Sequence, residues 1–228
     1  MKTIIVNEKE VEIPTGWENI TFEKFNAFSK LVSSQITQEE WNEQNKDMDD
    51  DVKDLEWSLY NIKLNTKLAC FWSGLTEEEI SLANIEDVEK ILKSMEFINN
   101  TYVPIPIEYF KFNDVKYLLP NKGMQGENFG TFIEAEQVEI NNKKLEKGDL
   151  SGLPKQIAIL CRAEGEERGL IDDKLIEKRV QIFQKLDMAT IWDVGFFLTQ
   201  QENSLMTIFL TYLRQEGMEK LLEQQRVQ

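Results

Sequence analysis

Three consecutive glutamates, Glu77, Glu78 and Glu79, are candidates for acid–base chemistry, because two neighbouring carboxyl groups can act as general acid and general base. The preceding residue favours another interpretation. Thr76 followed three residues later by Glu79 is the pattern of a capping box at the start of a helix. Glutamates in a first turn also interact favourably with the helix dipole. We therefore predict a structural role for all three glutamates.

Four aspartates lie close together in the polar segment before the longest helical pattern. A cluster of carboxylates could bind calcium, but an EF-hand loop also needs alternating ligands, a central glycine and a terminal glutamate. This pattern is missing from the sequence, so we predict a solvated loop and no metal. The residues are Asp47, Asp49, Asp50 and Asp51.

A glycine-rich segment at 123–130 could be interpreted as a phosphate-binding loop. Its glycines have neither the spacing of the dinucleotide fingerprint nor the Gly-Lys-Ser/Thr end of a nucleotide P-loop. Glu127 would also place a negative charge where a phosphate should bind. We expect a turn that leads into a helix, and we predict no cofactor.

The sequence contains no histidine. This removes the most common general base, the histidine-activated nucleophiles and most catalytic zinc sites. Cys70 and Cys161 lie in apolar helical patterns typical of buried free thiols, and a disulfide is the alternative. Because no catalytic, cofactor-binding or metal-binding residues can be assigned, we predict that the protein is not an enzyme.

The composition indicates a folded and strongly acidic protein, with 41% hydrophobic residues and a formal net charge of −15. Nucleic-acid binding depends on neutralising phosphates, so this chain is a poor candidate for gripping DNA or RNA. Its acidity could line a passage through which DNA slides, or it could serve only solubility. The sequence has no apolar run of membrane-spanning length and no signal-peptide pattern. We expect synthesis in a cytoplasm and no membrane partner.

Two segments share one order of features: an apolar strand, a polar turn, a second strand, a proline and the start of a helix. In the first segment, Asn7 marks a hairpin turn, Pro14 ends the second strand, and Thr21 can cap a helix. In the second segment, Asn113 and Pro120 recur at the same offset. This pattern predicts two copies of one hairpin–helix module.

The predicted fold class is α+β, mainly α, with two pseudo-repeated modules that each consist of a β-hairpin followed by a small helical bundle. The modules are expected at 1–105 and 106–228, joined by a proline-rich connector at 102–107. A helix at 84–98 is expected to turn Ile85 inward. A longer helix at 55–72 is expected to carry one broad apolar face. That face would contain Leu55, Leu59, Ile62, Leu68, Phe71 and Trp72.

The segment 13–25, with the sequence IPTGWENITFEKF, resembles small proteins encoded in the structural gene clusters of tailed bacteriophages. Those of crAss-like and other Bacteroidetes phages are the most similar. The shared features are the Ile-Pro pair, Trp17, and the Thr-Phe pair with a second phenylalanine at Phe25. Similar chains also carry a second hairpin with a turn such as Asn113-Asp114.

This resemblance implies a non-enzymatic role in building a phage particle, and it leaves three versions open. The protein could be a ring, connector or tail component at the portal–tail region, where rings are cyclic homo-oligomers. It could be a soluble tail-assembly chaperone that is absent from the mature virion. It could also be a packaged cargo protein. The implied partners are portal and tail proteins and further copies of the chain, and the implied location is the virion.

Overall fold

The computed structural model describes residues 1–121, 127–167 and 172–201, and the chain divides into two compact units. The first unit contains Met1–Val103 together with the short segments Lys144–Leu150 and Asp187–Ala189. The second unit contains the rest of the chain. The division after Val103 lies two residues before the predicted module boundary, whereas the two short segments come from the second predicted module.

The first unit begins with a β-hairpin on which helices pack. Its strands are β1 (Lys2–Val6) and β2 (Lys9–Ile13). Its α-helices are α1 (Phe22–Ser33), α2 (Gln38–Gln44), α3 (Asp50–Ser73), α4 (Glu77–Ser81) and α5 (Ile85–Ser94), with 3₁₀ turns at Trp17–Asn19 and Glu96–Asn99.

The predicted hairpin turn is confirmed and consists of Asn7 and Glu8, with φ angles of 49° and 66°. Two successive residues in the left-handed region form the type I′ turn, whose twist suits a two-residue hairpin. Alternate strand residues, among them Ile4 and Val11, are buried and directly paired. Helix α5 packs on β1 and helix α3 packs on β2, so one face of this hairpin lies in the core.

Trp17 organises the aromatic part of the first unit. Its ring lies 5.5 Å from Phe25 of α1, 5.5 Å from Phe97 and 6.3 Å from Tyr102, measured between ring centroids. All three contacts have edge-to-face geometry, which aromatic pairs favour. Trp17 therefore holds the start of α1 against the end of the helical segment at 85–99.

The segment Lys144–Leu150 belongs to the first unit because polar contacts attach it to α1. The backbone N–H of Leu150 donates to Asn26 Oδ1 at 2.7 Å, and Lys30 Nζ lies 2.8 Å from Asp149 Oδ2. Gly148 has a φ of 83°, and a Cβ atom at this position would lie 2.6 Å from the carbonyl oxygen of Ser29. Glycine therefore allows the segment to approach α1 closely.

The second unit also begins with a hairpin, but its sheet has a third strand. Its strands are β3 (Tyr109–Phe112), β4 (Val115–Leu118) and β5 (Arg162–Ala163), in the order β3-β4-β5, and all neighbours are antiparallel. Its α-helices are α6 (Phe129–Asn142), α7 (Leu153–Leu160) and α8 (Asp173–Phe183). A further helix, α9, starts at 188 and reaches 201, the last described residue, and its residues from Thr190 onward belong to this unit.

The core of the second unit is built around α7, which is buried along most of its length. Helices α6 and α8 both pack against it. A second cluster joins the sheet to α8, where the rings of Phe110, Tyr117 and Phe183 lie 4.9 to 5.5 Å apart. This unit and the first confirm the predicted class, an α+β and mainly helical protein with small hairpin sheets.

Two predictions about apolar helix faces are wrong, because helical periodicity alone does not show which side of a helix a neighbour covers. Ile85, expected to face inward, is 79% exposed. The apolar residues of α3 also do not form one broad face. Trp72 is buried, whereas Leu55 is 72% exposed. The predicted acidic loop is shorter than expected, since α3 already begins at Asp50.

Candidate functional site

The candidate acid–base residue Glu79 is held by structural contacts. The Glu79 side chain accepts a hydrogen bond from the backbone N–H of Thr76 at 2.9 Å, and Thr76 Oγ1 accepts one from the N–H of Glu79 at 3.2 Å. The predicted capping box is thus confirmed. Lys9 of β2 also pairs with Glu79. Mainly through the hydrogen bond from Lys9, the pKa of Glu79 is lowered to about 2. Such a carboxyl group is ionised at neutral pH and has no proton to donate.

The acidic cluster at 47–51 starts a helix. Asp49 caps α3 by accepting a hydrogen bond from the N–H of Asp51 at 3.1 Å, and Asp50 lies 2.8 Å from Lys53 Nζ. Across the described residues, no group of three or more acidic or cysteine side chains is arranged to hold a metal ion.

The glycine-rich segment is only partly described, and residues 122–126 lie outside the described part of the chain. At its end, Asn128 caps α6 by accepting a hydrogen bond from the N–H of Gly130 at 2.8 Å. The preceding Glu127 forms an ion pair with Arg162. The predicted helix start is confirmed. In the described part of the segment, the only charged side chain is Glu127, and the arginine neutralises it.

Both cysteines are free thiols. Cys161 is fully buried at the end of α7, and burial raises the pKa of its thiol. Burial also raises the pKa of Cys70, a half-buried residue near the end of α3. A raised thiol pKa lowers the fraction of reactive thiolate at neutral pH. Neither cysteine therefore has the environment of a nucleophile.

The second unit contains a cavity of about 240 Å³ between α6, α7 and α8, lined by both apolar and charged side chains. Arg179 of α8 is 7% exposed, and its Nη1 lies 3.2 Å from the carbonyl oxygen of Cys161. Its Nη2 pairs with Glu166. Arg162 also lines the cavity. Because carboxylates already neutralise both guanidinium groups, no described residue of the cavity presents a free positive charge to an anion.

One polar atom of this cavity has no partner. The hydroxyl group of Thr131 on α6 is buried and makes no hydrogen bond to any residue that the structure describes. A buried unsatisfied hydroxyl group destabilises a fold unless something binds it. This cavity was not predicted from the sequence. A signal was present, since Arg179 lies at core spacing between Ile176 and Phe183 of α8.

The first unit carries an exposed apolar stripe on α3, formed by four residues at steps of three, four and three. With 3.6 residues per turn, these residues lie on one side of the helix, about half a turn away from the packed side. On that packed side, Trp57 and Tyr60 stack at 5.3 Å and contact Trp41 of α2. The α3 stripe consists of Val52, Leu55, Leu59 and Ile62, which are 45%, 72%, 49% and 62% exposed.

The α3 stripe is a candidate protein-binding surface. Its four side chains expose roughly 300 Å² of apolar area, which is the size of the largest apolar patch on an ordinary monomer. The sequence pattern placed three of these residues, Leu55, Leu59 and Ile62, on one broad apolar face. Their heptad-like spacing was visible, but it did not reveal that α2 and the hairpin cover only the other side of the helix.

Among the described helices, none is both long enough and apolar enough to cross a membrane. Comparison of the chain with family models, curated proteins and solved structures gave no match.

Proposed function

We propose that this protein is a non-enzymatic component of a tailed-phage particle, a ring, connector or tail subunit at the portal–tail region. The observation that carries this proposal is the α3 stripe, because a contiguous apolar patch rimmed by polar residues is typical of protein–protein contact sites. Leu55 and Ile62 expose the most area within it. The partners that we propose are portal proteins, tail proteins and further copies of the chain.

The residues behind the phage resemblance support this assignment, because they build one compact element. Ile13 and Phe22 are buried, at 0% and 1% exposure. Thr21 caps α1 by accepting a hydrogen bond from the N–H of Lys24 at 3.3 Å. Together with the Trp17 contacts, this makes 13–25 a packing unit without catalytic groups, which suits a shared structural module.

The net charge of −15 supports a place in the particle where DNA passes. Like charge disfavours adhesion between an acidic surface and the phosphate backbone. We therefore propose no specific nucleic-acid binding. If the protein forms a ring, its acidic residues would face the channel.

We further propose that the two hairpin–helix segments derive from one duplicated module. In support, Asn113 and Asp114 have φ angles of 48° and 62°, close to those of the first turn. At the same offset of 106 residues, the directly paired and buried Phe110 and Tyr117 correspond to Ile4 and Val11. The helix starts differ, since Phe129 is 68% exposed and its counterpart Phe22 is buried.

A tail-assembly chaperone is the second candidate function, and the exposed connector favours it. Val103 is 80% exposed and Ile105 is 62% exposed. An extended apolar segment could cover another protein before that protein polymerises. A packaged cargo protein is a third version, which would need no fixed contact with portal or tail.

The proposal is tested by replacing the stripe in the phage that encodes the protein. We expect the double variant Leu55→Gln/Ile62→Gln to reduce the yield of complete particles and to leave heads without tails in electron micrographs. Lys46→Gln/Glu43→Gln, on the exposed part of α2 and its end, is the matched polar control and should leave particle assembly unchanged. Normal particle yield from the stripe variant would contradict the proposal.

A further inference from the structure

The two hairpins of the protein differ at one edge. In the second unit, β4 pairs with β3 on one side and with β5 on the other, whereas β2 of the first unit has β1 as its only described neighbour. We infer that the free edge of β2 binds an extended basic segment of a partner protein, which adds to the hairpin as a third, antiparallel strand. This edge and the α3 stripe consist of different residues, and the inference does not depend on the proposed function.

The register of the first hairpin shows which backbone groups point to this edge. Next to a two-residue turn, the flanking pair Val6 and Lys9 exchanges both hydrogen bonds, and bonded and non-bonded pairs then alternate along the ladder. Glu10 and Glu12 belong to the non-bonded pairs, so their N–H and C=O groups point away from β1. These groups make no hydrogen bond to any residue that the structure describes. A row of unpaired backbone groups is a template for a further strand.

The second hairpin shows how the same edge is used when a strand covers it. At an offset of 106 residues, β4 corresponds to β2, and Lys116 takes the place of Glu10. The carbonyl oxygen of Lys116 accepts a hydrogen bond from the N–H of Glu164 at 2.8 Å, and their side chains form an ion pair at 2.7 Å. Ala163 of β5 lies opposite the buried Tyr117. The added strand thus contributes backbone hydrogen bonds and a complementary charge on the outer face.

The side chains at the edge of β2 determine the chemistry of the incoming strand. Val11 is 5% exposed and faces the core, so Glu10 and Glu12 on either side of it project from the outer face. Both glutamates are exposed, and neither forms an ion pair with a described residue. Glu10 stands where Lys116 meets Glu164, so its complement is a cation, since opposite charges across strands stabilise a sheet. The matching segment has Lys or Arg opposite each glutamate and an apolar residue between them.

The opposite edge of the first hairpin lacks this combination. The backbone groups that point outward from β1 belong to Thr3 and Ile5, and neither side chain carries a charge. The corresponding strand of the second hairpin, β3, has no described neighbour other than β4. The backbone groups, the charges and the comparison of the two hairpins therefore all favour β2, and the edge of β1 serves as an internal control.

Titration of the isotope-labelled full chain with short peptides, followed by NMR, tests the inference. The probe is the capped peptide Thr-Val-Lys-Val-Lys-Val-Thr, in which lysine and valine alternate as the edge requires. We expect a Kd on the order of 1 mM, with the largest amide shifts at Glu10 and Glu12. The same peptide with glutamate in place of lysine should bind at least about fivefold more weakly. Methylation of the backbone nitrogen of both lysines should abolish binding, because it removes the N–H groups that pair with β2.

Variants of the protein separate the contribution of charge from that of the backbone. Glu10→Gln/Glu12→Gln should weaken binding by about five- to tenfold. The control Glu23→Gln/Glu56→Gln removes two exposed glutamates elsewhere in the first unit and should leave binding unchanged. Glu12→Pro should abolish binding, because it removes an outward N–H without breaking a hydrogen bond of the hairpin. Thr3→Pro makes the same change at the residue paired with Glu12, on the opposite edge, and should leave binding intact.

Three results would overturn the inference. These are no binding at about 5 mM peptide, amide shifts at Thr3 and Ile5 in place of Glu10 and Glu12, and equal binding of the acidic peptide. Circular dichroism checks that each variant is folded, and if a proline variant is not, the methylated peptide tests the same hydrogen bonds. None of these results involves the α3 stripe, so failure of this inference is distinguishable from failure of the proposed function.

Discussion

Lys9 on the first hairpin forms an ion pair with Glu79, the residue that also closes the capping box of α4, 70 positions further along the chain. The neighbouring Asn7 supports the same contact, because its Nδ2 donates to the carbonyl oxygen of Glu79 at 2.8 Å. The hairpin turn and the start of α4 are thereby fixed to each other. A carboxylate that could be mistaken for a catalytic group is a tertiary link within the first unit.

Removing this carboxylate should change how stability depends on pH. The folded pKa of Glu79 is about 2, below the ordinary value of 4.5. The contact therefore stabilises the fold fully above pH 4.5, and this contribution is lost as the pH falls towards 2. We expect Glu79→Gln to lower the urea midpoint at pH 7 and to flatten its decline between pH 4.5 and 2. Glu78→Gln, in the same turn, is the control, and an equal effect of both variants would contradict the assignment.

The turn at Glu8 should tolerate glycine better than the native residue. Its φ of 66° is costly for a residue with a Cβ atom, and type I′ turns favour glycine at this position. We expect Glu8→Gly to stabilise the first unit by about 0.5–1 kcal/mol, because the relief of strain exceeds the added backbone entropy of the unfolded chain. Glu8→Val should destabilise it by a similar amount. Thermal unfolding checks both, and a stabilising valine would show that the turn has another geometry.

The ion pair between Arg179 and Glu166 should be sensitive to the loss of one partner. Arg179 lies in the core of the second unit, where an unpaired charge is costly to bury. We expect Glu166→Gln to destabilise the protein by about 2–3 kcal/mol, because it leaves the buried guanidinium group without its carboxylate. Arg179→Met should destabilise the protein less, because it removes the buried charge itself. The neighbouring Glu167→Gln is the control in urea unfolding. A neutral Glu166→Gln would mean that solvent already satisfies the guanidinium group.

Thr131 offers a test of whether its cavity is occupied. If nothing binds the buried hydroxyl group, the isosteric change Thr131→Val should be neutral or should stabilise the protein by about 1 kcal/mol, since it removes an unsatisfied polar atom. Thr131→Ser keeps the hydroxyl group and serves as the control for packing. A destabilising valine would show that the hydroxyl group has a bound partner in solution.

Features set by neighbouring residues were predictable from the sequence. The capping box needs only Thr76 and Glu79, and the first turn needs only the polar residues after β1. Both features depend on residues that are close together in the sequence, and both predictions are confirmed. The short strand β5 was missed, because the two residues Arg162 and Ala163 carry no periodicity and form a strand only by pairing with β4.

Features that depend on distant neighbours were not predictable. Leu55 and Trp72 belong to the same helix and have the same apolar character, but only Trp72 is covered. The 3.6-residue period places the two side chains on different sides of α3, but it does not show which side α2 and the hairpin cover. The exposed α3 stripe therefore emerges only when the fold is known, whereas the absence of histidine is visible in the sequence.

Quantitative mass spectrometry of purified particles, from the phage that encodes this protein, tests the proposed function most directly. A ring, connector or tail component is expected at a fixed number of copies per virion, on the order of a dozen for a single closed ring. Hundreds of copies would instead indicate cargo or a capsid role. Abundance in infected cells combined with absence from particles would contradict the virion assignment and would favour the chaperone.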